Sequence, residues 1–295
     1  MVRLGSLLLE LVSYNMLLLN PSGLGAIETH VSNTTDETAT FMISVTAGTT
    51  PNKNATYTQL IASTTYASYG IMITGAGLQT TASTNQRCLV DIALGAAASE
   101  VVIIPNLTFG NTADYAAASA MGNSYFFPIY IPAGVRVSAT AAASTSADIV
   151  NIAVRLFQHP TGPGGWYGSQ VLAYGADTAN IRGTSHTAGT NTYATGTTLA
   201  TTTAPIRYMQ VGMDLLSDTT ATTSRGLARI LSTTDVLVTH LPFKYSTTIE
   251  AVNFTDANFI LSQMLFNIPS GISLRLGATV NSTPEARGFI VYGVN

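Results

Sequence analysis

The sequence is poor in charge. Charged side chains make up 9% of its 295 residues, whereas about 25% is usual for soluble domains. The twelve basic and fifteen acidic residues are scattered, so the chain lacks the basic stripe that phosphate binding requires. We therefore expect no nucleic-acid partner.

Cysteine is almost absent. The single Cys88 excludes both a disulfide within the chain and a zinc site built from cysteines, and we predict it to be a small buried apolar residue. The histidines contain no pair four residues apart and adjoin no convincing carboxylate cluster. No metal or other cofactor is therefore predicted. The four histidines are His30, His159, His186 and His240.

The chain also lacks a long uninterrupted apolar run. The leucine-rich N-terminus is broken by Glu10, Ser13 and Asn15, unlike a membrane span of about 20 apolar residues, and no signal-cleavage site follows cleanly. We predict that residues 1–19 form a docking arm, as a helix or a strand, held by the same chain or a neighbour. On a helix, one face would carry Leu4, Leu7, Leu8 and Leu11.

In place of charge, the chain carries Thr, Ala, Ser, Gly and Asn, and 46% of its residues are hydrophobic. Its surface must therefore be covered by hydroxyls, amides and small side chains. A free cytoplasmic enzyme usually relies on charge for solubility. The composition favours a subunit whose surface is mostly in contact, or an extracellular appendage.

One short motif occurs twice. The tetrapeptide IPAG recurs 137 positions later as IPSG, so Pro132 and Gly134 correspond to Pro269 and Gly271. Proline at the second turn position and glycine at the fourth predict a type I turn in each copy. Alternating apolar and polar residues follow both turns, as is typical of a strand with one buried face.

Further segments match at similar spacings, and we interpret the chain as a tandem duplication. The predicted units are 20–158 and 159–295, and the second opens with a Gly/Pro-rich linker, 159–170. The matching pairs are DIVNIAVRLF (148–157) with EARGFIVYGV (285–294), TTASTNQRCLVDIAL (80–94) with TTATTSRGLARIL (219–231), and SVTAGT (44–49) with SHTAGT (185–190).

Many short strands separated by Gly, Asn, Pro and Thr clusters predict an all-β protein. Each unit, at about 130 residues, has a natural size for a jelly-roll-like sandwich. The fold prediction is two tandem jelly-roll-like β-sandwich domains behind the N-terminal arm.

The sequence offers no pattern of catalytic residues, and we predict that the protein is not an enzyme. Glycosidases need two carboxylates about 5–10 Å apart, but Asp148 and Glu285 are equivalents in different units. The linker segment HPTGPGGWYGS lacks the Lys-Ser/Thr pair of a P-loop. Its Trp166 and Tyr167 are predicted to pack between the units or against a neighbour, or to bind sugars by stacking.

Two segments resemble a pattern in virion proteins of tailed bacteriophages. They are DIALGAAASEVVIIPNL (91–107) and FFPIYIPAGVRVSATAAAS (126–144). In that pattern a DIALGAAGSE-like strand leads into IPAG-R-A, and units often come in tandem. The resemblance implies a non-enzymatic structural protein of the particle, either a tail fibre or tail appendage or a capsid decoration subunit. It carries no binding residues over, and Ser273 replaces Arg136 in the second copy.

These observations lead to expectations about partners. A trimer of duplicated units would offer pseudo-sixfold symmetry, so we expect a trimer or higher homo-oligomer, with other virion proteins as further partners. The expected location is the virion, assembled in the host cytoplasm. The alternative is a carbohydrate- or receptor-binding module of a phage or a secreted protein, in which Trp166 and Tyr167 contact a host surface glycan.

Overall fold

The computed structural model describes residues 27–30, 42–48, 53–79, 86–111, 123–144, 148–160, 162–194, 196–215, 223–233, 237–246, 267–281 and 286–295. The predicted docking arm, with Leu4, Leu7, Leu8 and Leu11, lies outside these ranges. The described residues form β-strands and one short 3₁₀ turn, and the predicted all-β class is confirmed.

The strands, in chain order, are β1 (Ile27–His30), β2 (Ile43–Thr46), β3 (Thr58–Ile61), β4 (Gly70–Gln79), β5 (Gln86–Leu94), β6 (Val101–Asn111), β7 (Asn123–Phe127), β8 (Val137–Ala143), β9 (Ile149–Phe157), β10 (Val171–Tyr174), β11 (Ala176–Asp177), β12 (Arg182–Thr187), β13 (Gly189–Thr190), β14 (Thr197–Thr201), β15 (Tyr208–Leu215), β16 (Thr223–Leu231), β17 (Leu237–Ser246), β18 (Ser273–Val280) and β19 (Ala286–Val294). The 3₁₀ turn is Pro163–Gly165.

The first half of the chain forms two facing sheets. Sheet I has the order β1-β9-β4-β7, with β2 also paired to β9, and sheet II has the order β3-β8-β5-β6. From β2 to β9 the chain visits the sheets in the order I, II, I, II, II, I, II, I, which is the strand order of a jelly roll. Apolar residues from both sheets, including buried Cys88, form one core.

The second half repeats this pairing scheme. Sheet III contains β10, β12 and β15 around β19, with β11 beside β12. Sheet IV contains β13, β14 and β16 around β18, with β17 beside β16. Ser44 lies opposite Asn151 in sheet I, and Ser185 lies opposite Gly288 in sheet III. The weakly similar SVTAGT and SHTAGT segments thus begin at equivalent positions of sheets I and III, opposite β9 and β19 respectively. The origin by duplication stays a prediction.

The IPAG and IPSG segments form tight turns, but their predicted position was wrong. The turn residues are Ala133–Gly134 and Ser270–Gly271, one residue later than predicted. Gly134 has φ 73° and Gly271 has φ 80°, as the third residue of a type II turn requires. Proline therefore occupies the first position of the turn rather than the second, and glycine provides the left-handed backbone that a side chain disfavours.

A buried threonine holds each turn. The Thr64 hydroxyl donates a hydrogen bond to the Pro132 carbonyl (2.7 Å) and accepts one from the Val135 N–H (3.2 Å). The backbone of Thr64 makes two further bonds to the same turn, with Gly134 and Val135. Thr64 is 2% exposed. One side chain thus satisfies polar groups that the turn would otherwise bury unpaired.

The second unit repeats this arrangement. The Thr202 hydroxyl donates to the Pro269 carbonyl (2.8 Å) and accepts from the Ile272 N–H (2.9 Å). Thr202 is also 2% exposed. The motif occurs twice because it forms the same threonine-held turn before β8 and before β18.

Strand β19 of sheet III is buried on both faces, which the sequence analysis did not predict. Along β19, Phe289 and Val291 belong to the core of the second unit, whereas Ile290, Tyr292 and Val294 belong to the core of the first. The equivalent strand β9 alternates between buried and partly exposed residues along most of its length. The second unit therefore completes the core of the first.

Tyr292 forms the centre of this junction. Its hydroxyl donates to the Asn106 carbonyl (2.7 Å) and accepts from the Thr108 N–H (2.9 Å). Its ring packs edge to face against Tyr125, with centroids 5.2 Å apart. Gly212 lies beside it, where an added Cβ would come within 2.5 Å of the Thr108 methyl carbon. The two units thus approach too closely for any larger residue there.

A glutamine adds a second polar contact across the junction. The Gln210 side-chain oxygen accepts from the Phe126 N–H in the first unit (3.1 Å), and its amide donates to the Tyr208 hydroxyl (3.0 Å). Gln210 and Tyr208 are each 1% exposed. Burial raises the pKa of Tyr208 to about 12, so the phenol is neutral at ordinary pH.

The turn analysis predicts equal damage in the two units. Thr64→Val and Thr202→Val should each lower the free energy of unfolding by about 1–3 kcal/mol, because the polar groups of the turn lose their partner. The matched controls, Ser63→Ala and Thr203→Val, remove the hydroxyl of an exposed neighbour and should change stability little. Urea unfolding measures all four. Equal midpoints for a variant and its control would contradict the role of the buried hydroxyl.

The junction analysis predicts that Tyr292→Phe lowers the free energy of unfolding by about 1–3 kcal/mol, because the buried Thr108 N–H loses its acceptor. Tyr66→Phe is the matched control, since Tyr66 is 44% exposed. Thermal unfolding is followed separately through tyrosine fluorescence and far-ultraviolet circular dichroism. Each variant should show one transition. A Tyr292→Phe protein as stable as the control would show that the junction bonds contribute nothing.

Candidate functional site

An open groove lies where the two units meet. It has a volume of about 1040 Å³, at the upper end of the roughly 300–1,000 Å³ typical of ligand pockets. Aromatic residues form much of its wall, with a few polar groups among them. The described residues that line it are Tyr69, Tyr130, Trp166, Tyr167, Gly168, Ser169, Pro205, Arg207 and Asn295.

Backbone hydrogen bonds hold the lining segments together. Gly168 N–H donates to the Pro128 carbonyl (2.8 Å), and Tyr130 N–H donates to the Gly168 carbonyl (3.0 Å). Ser169 N–H donates in turn to the Asn295 carbonyl (2.9 Å). The predicted linker is therefore bound on one side to the first unit and on the other to the end of β19.

Equivalent positions of the two units meet in this groove. Tyr69 precedes β4 and donates its N–H to the Phe157 carbonyl (2.8 Å). Arg207 precedes β15 and donates its N–H to the Val294 carbonyl, also at 2.8 Å. The same backbone site thus carries an aromatic ring in one unit and a guanidinium in the other.

Three tyrosine rings form a contiguous cluster. The centroid of Tyr69 lies 4.8 Å from that of Tyr167 and 5.4 Å from that of Tyr130. Tyr130 and Tyr167 are 6.4 Å apart. These separations fall within the roughly 4.5–7 Å of favourable aromatic pairs, so each ring limits the motion of the others.

The cluster is nevertheless open to solvent. Tyr130 is 42% exposed and Tyr167 is 43% exposed. Trp166 is half-buried and packs against the core of the first unit. Large aromatic residues left exposed together often mark a binding surface.

The structure places both predicted aromatic residues, Trp166 and Tyr167, in this groove. Sequence reasoning missed Tyr69, Tyr130 and Arg207, which come from segments far apart in the chain. Tyr130 immediately precedes the repeated IPAG motif, and its counterpart in the second copy is an asparagine. That difference between the copies was the one sequence signal that could have indicated a special role for Tyr130. The turn residues Pro132, Gly134, Pro269 and Gly271 do not line the groove.

The segments that carry the bacteriophage resemblance contact each other. Arg136 donates to Glu100 at 2.7 Å, and this hydrogen bond lowers the pKa of the Glu100 carboxyl. Gly95 N–H donates to the Arg136 carbonyl (3.1 Å). In the second unit Ser273 makes a different contact, donating its N–H to the Thr233 hydroxyl (2.9 Å). These motif residues fix a loop against a strand rather than lining the groove.

A second polar cluster lies on strands β5 and β6 of sheet II. Lys53 contacts both Asp91 (2.5 Å) and the side-chain oxygen of Asn106 (2.6 Å). Asp91 also accepts the Asn106 N–H (2.7 Å), and Asn106 has a positive φ of 55°. All three residues are satisfied by one another, which is typical of a structural cluster.

The described residues contain no group of three or more His, Cys, Asp or Glu side chains that could hold a metal ion. Asp148 is 7% exposed, and its predicted equivalent Glu285 lies outside the described residues. In the same part of the chain, no helix is long and apolar enough to cross a membrane.

His186 is a buried titratable group in the second unit. It is 4% exposed, its Nδ1 lies 2.8 Å from the Thr197 hydroxyl, and it stands opposite the buried Arg287 on β19. Burial lowers the pKa of His186 below its ordinary 6.5. The imidazole is therefore neutral in the folded protein over a wider pH range than in the unfolded chain.

This burial predicts a pH-dependent stability. Below about pH 6.5 the unfolded chain binds a proton that folded His186 does not. The free energy of unfolding should therefore fall as the pH decreases from about 6.5, until the pH reaches the pKa of His186 in the folded protein. Above about pH 6.5 His186 contributes no pH dependence. His186→Gln should lose this component, whereas the exposed His240→Gln should keep it. Urea unfolding between pH 5 and 8 tests this, and identical profiles for both variants would contradict it.

Comparisons with known proteins give only remote similarities. No protein family and no curated protein matches the sequence. Among solved structures, PNGF-II is 5% identical with a TM-score of 0.38, and 86% of this chain aligns with 65% of its length. Tripeptidyl peptidase 2 is 8% identical with a TM-score of 0.26, and 92% of this chain aligns with 23% of its length. With TM-scores below 0.5, neither similarity establishes a shared fold or activity.

Proposed function

We propose that this protein is a non-enzymatic structural subunit of a bacteriophage particle that assembles with copies of itself on the virion surface, as a tail fibre, a tail appendage or a capsid decoration. The observation that carries the proposal is the jelly-roll strand order of the first unit, together with a core of that unit that includes residues of the second. Jelly rolls are a recurrent architecture of viral capsid proteins.

The junction supports a mechanical role. Tyr292, Gln210 and Gly212 fix the second unit against the first through buried bonds and close packing. Units joined in this way behave as one rigid block, which a repeating shell or fibre needs in order to keep its spacing. A binding module on a flexible tether would not need such a junction.

The two similar units also support assembly. Each unit presents equivalent strands at equivalent places, so three copies of the chain would offer six similar faces around an axis. The sparse charge of the chain, 9% of residues, suits a surface largely covered by neighbours, since self-repulsion between copies is small.

A specific observation favours a second, compatible function. The aromatic groove contains the residues expected to stack on sugars, Trp166 and Tyr167, together with two more tyrosines. Binding of a host-surface glycan is therefore our second candidate function, and a virion subunit can combine both roles.

Assembly is tested by the mass of the full-length protein in solution. Light scattering should give a discrete multiple of 30.8 kDa, with three or more copies. Removing residues 1–19 should reduce this mass, because the arm is expected to dock on a neighbour. The variant Leu4→Ser/Leu7→Ser/Leu8→Ser/Leu11→Ser keeps the arm's length and should have the same effect.

The matching control is the Tyr292→Phe protein, which should keep its assembly state at temperatures where it remains folded. A parallel measurement is mass spectrometry of purified phage particles, which should detect the chain. A protein that is monomeric at every concentration and absent from particles would overturn the structural role.

A further inference from the structure

The shape of the aromatic groove suits a ligand with both an apolar face and a polar edge. Tyr69, Tyr130 and Tyr167 present their rings at interplanar angles of 39–63° to one another. They therefore do not form a single flat platform. Sugar rings fit such a surface well, because their C–H faces contact aromatic rings while their hydroxyls stay free for hydrogen bonds.

The polar groups of the groove match those hydroxyls. The side-chain oxygen of Asn295 is buried and makes no hydrogen bond among the described residues. A buried acceptor without a donor is unfavourable, and a ligand hydroxyl would supply the missing donor. The adjacent Ser169 is exposed and carries a hydroxyl that can donate or accept.

The groove contains a cationic side chain. Arg207 is exposed and is the one charged side chain among the described lining residues. The ion pairs of the described part of the chain join Lys53 to Asp91, Arg136 to Glu100 and Arg182 to Asp177. The Arg207 guanidinium takes part in none of these pairs. It is therefore available to form a bidentate bond with a carboxylate.

The groove is also larger than one sugar ring needs. Its volume of about 1040 Å³ lies at the upper end of the range for pockets that bind drug-sized molecules. The four aromatic side chains come from three separate segments of the chain, around Tyr69, Tyr130 and Tyr167. They thus offer contacts to several consecutive rings of an oligosaccharide.

We propose that this groove binds an acidic oligosaccharide, with sugar rings packed on Tyr130 and Tyr167, a hydroxyl donated to Asn295 and a sugar carboxylate paired with Arg207. The proposal rests on the glycan-binding candidate function and adds the charge class of the ligand. A nucleic acid fits less well, since the groove has one cation and the chain has a net charge of −3.

The test uses the full-length protein on a glycan array that contains sialylated and uronic-acid oligosaccharides beside their neutral counterparts. The wild-type protein should bind carboxylated members at least about tenfold more tightly than neutral ones, the contribution of one ionic contact. Affinities for the tightest carboxylated member and its neutral counterpart are then measured by titration calorimetry.

Three variants separate the parts of the proposal. Tyr130→Ala and Tyr167→Ala should each weaken binding of both members of the pair by about tenfold, as is typical of an interfacial aromatic anchor. Arg207→Gln should remove the preference for the carboxylated member, so that the two members of the pair bind with equal affinity. Tyr66→Ala is the matched control, because Tyr66 is 44% exposed and does not line the groove. Melting temperatures check that each variant is folded.

Each outcome has a distinct meaning. Equal affinity for acidic and neutral members, reduced by Tyr167→Ala, would overturn the acidic specificity and support glycan binding. Absence of binding to every array member would overturn both. A change in assembly mass in Tyr167→Ala, without glycan binding by the wild type, would identify a second copy of the chain as the occupant and overturn the proposal.

Discussion

The structure depends on the burial of β19 on both faces. A strand with apolar residues on one face needs one partner layer, whereas β19 alternates between the cores of the two units and so must have a layer on each side. This requirement places the second unit against the edge strands β6 and β7. Tyr292, the close approach at Gly212 and the aromatic groove all follow from that placement.

Much of the architecture could be predicted from the sequence because it is encoded locally. Alternating apolar residues, repeated turn motifs and frequent breakers indicate short strands, and all of these signals act within a few residues. The turn itself was misplaced by one residue, because proline is most familiar at the second position of a turn but here occupies the first. The stabilising Thr64 lies 68 residues from Pro132, too distant for a local pattern to reveal.

The shared core and the groove were harder to predict. The FIVYGV run in β19 lacks the alternation of its equivalent in β9. That difference is the sequence signal from which burial of β19 on both faces could have been predicted. The sequence identified Trp166 and Tyr167 as unusual, but Tyr69, Tyr130 and Arg207 become neighbours only when two units meet. Periodicity describes the face of one strand and contains no information about which other unit will cover it.

The shared core also has a consequence for synthesis on the ribosome. The first unit includes Ile290, Tyr292 and Val294 in its core, although its own strands end at Phe157. A nascent chain that ends just after Phe157 therefore has all of these strands but lacks part of its interior, and its apolar edge stays uncovered until β19 has emerged. During that interval chaperones, rather than the second unit, must protect the exposed surface from aggregation.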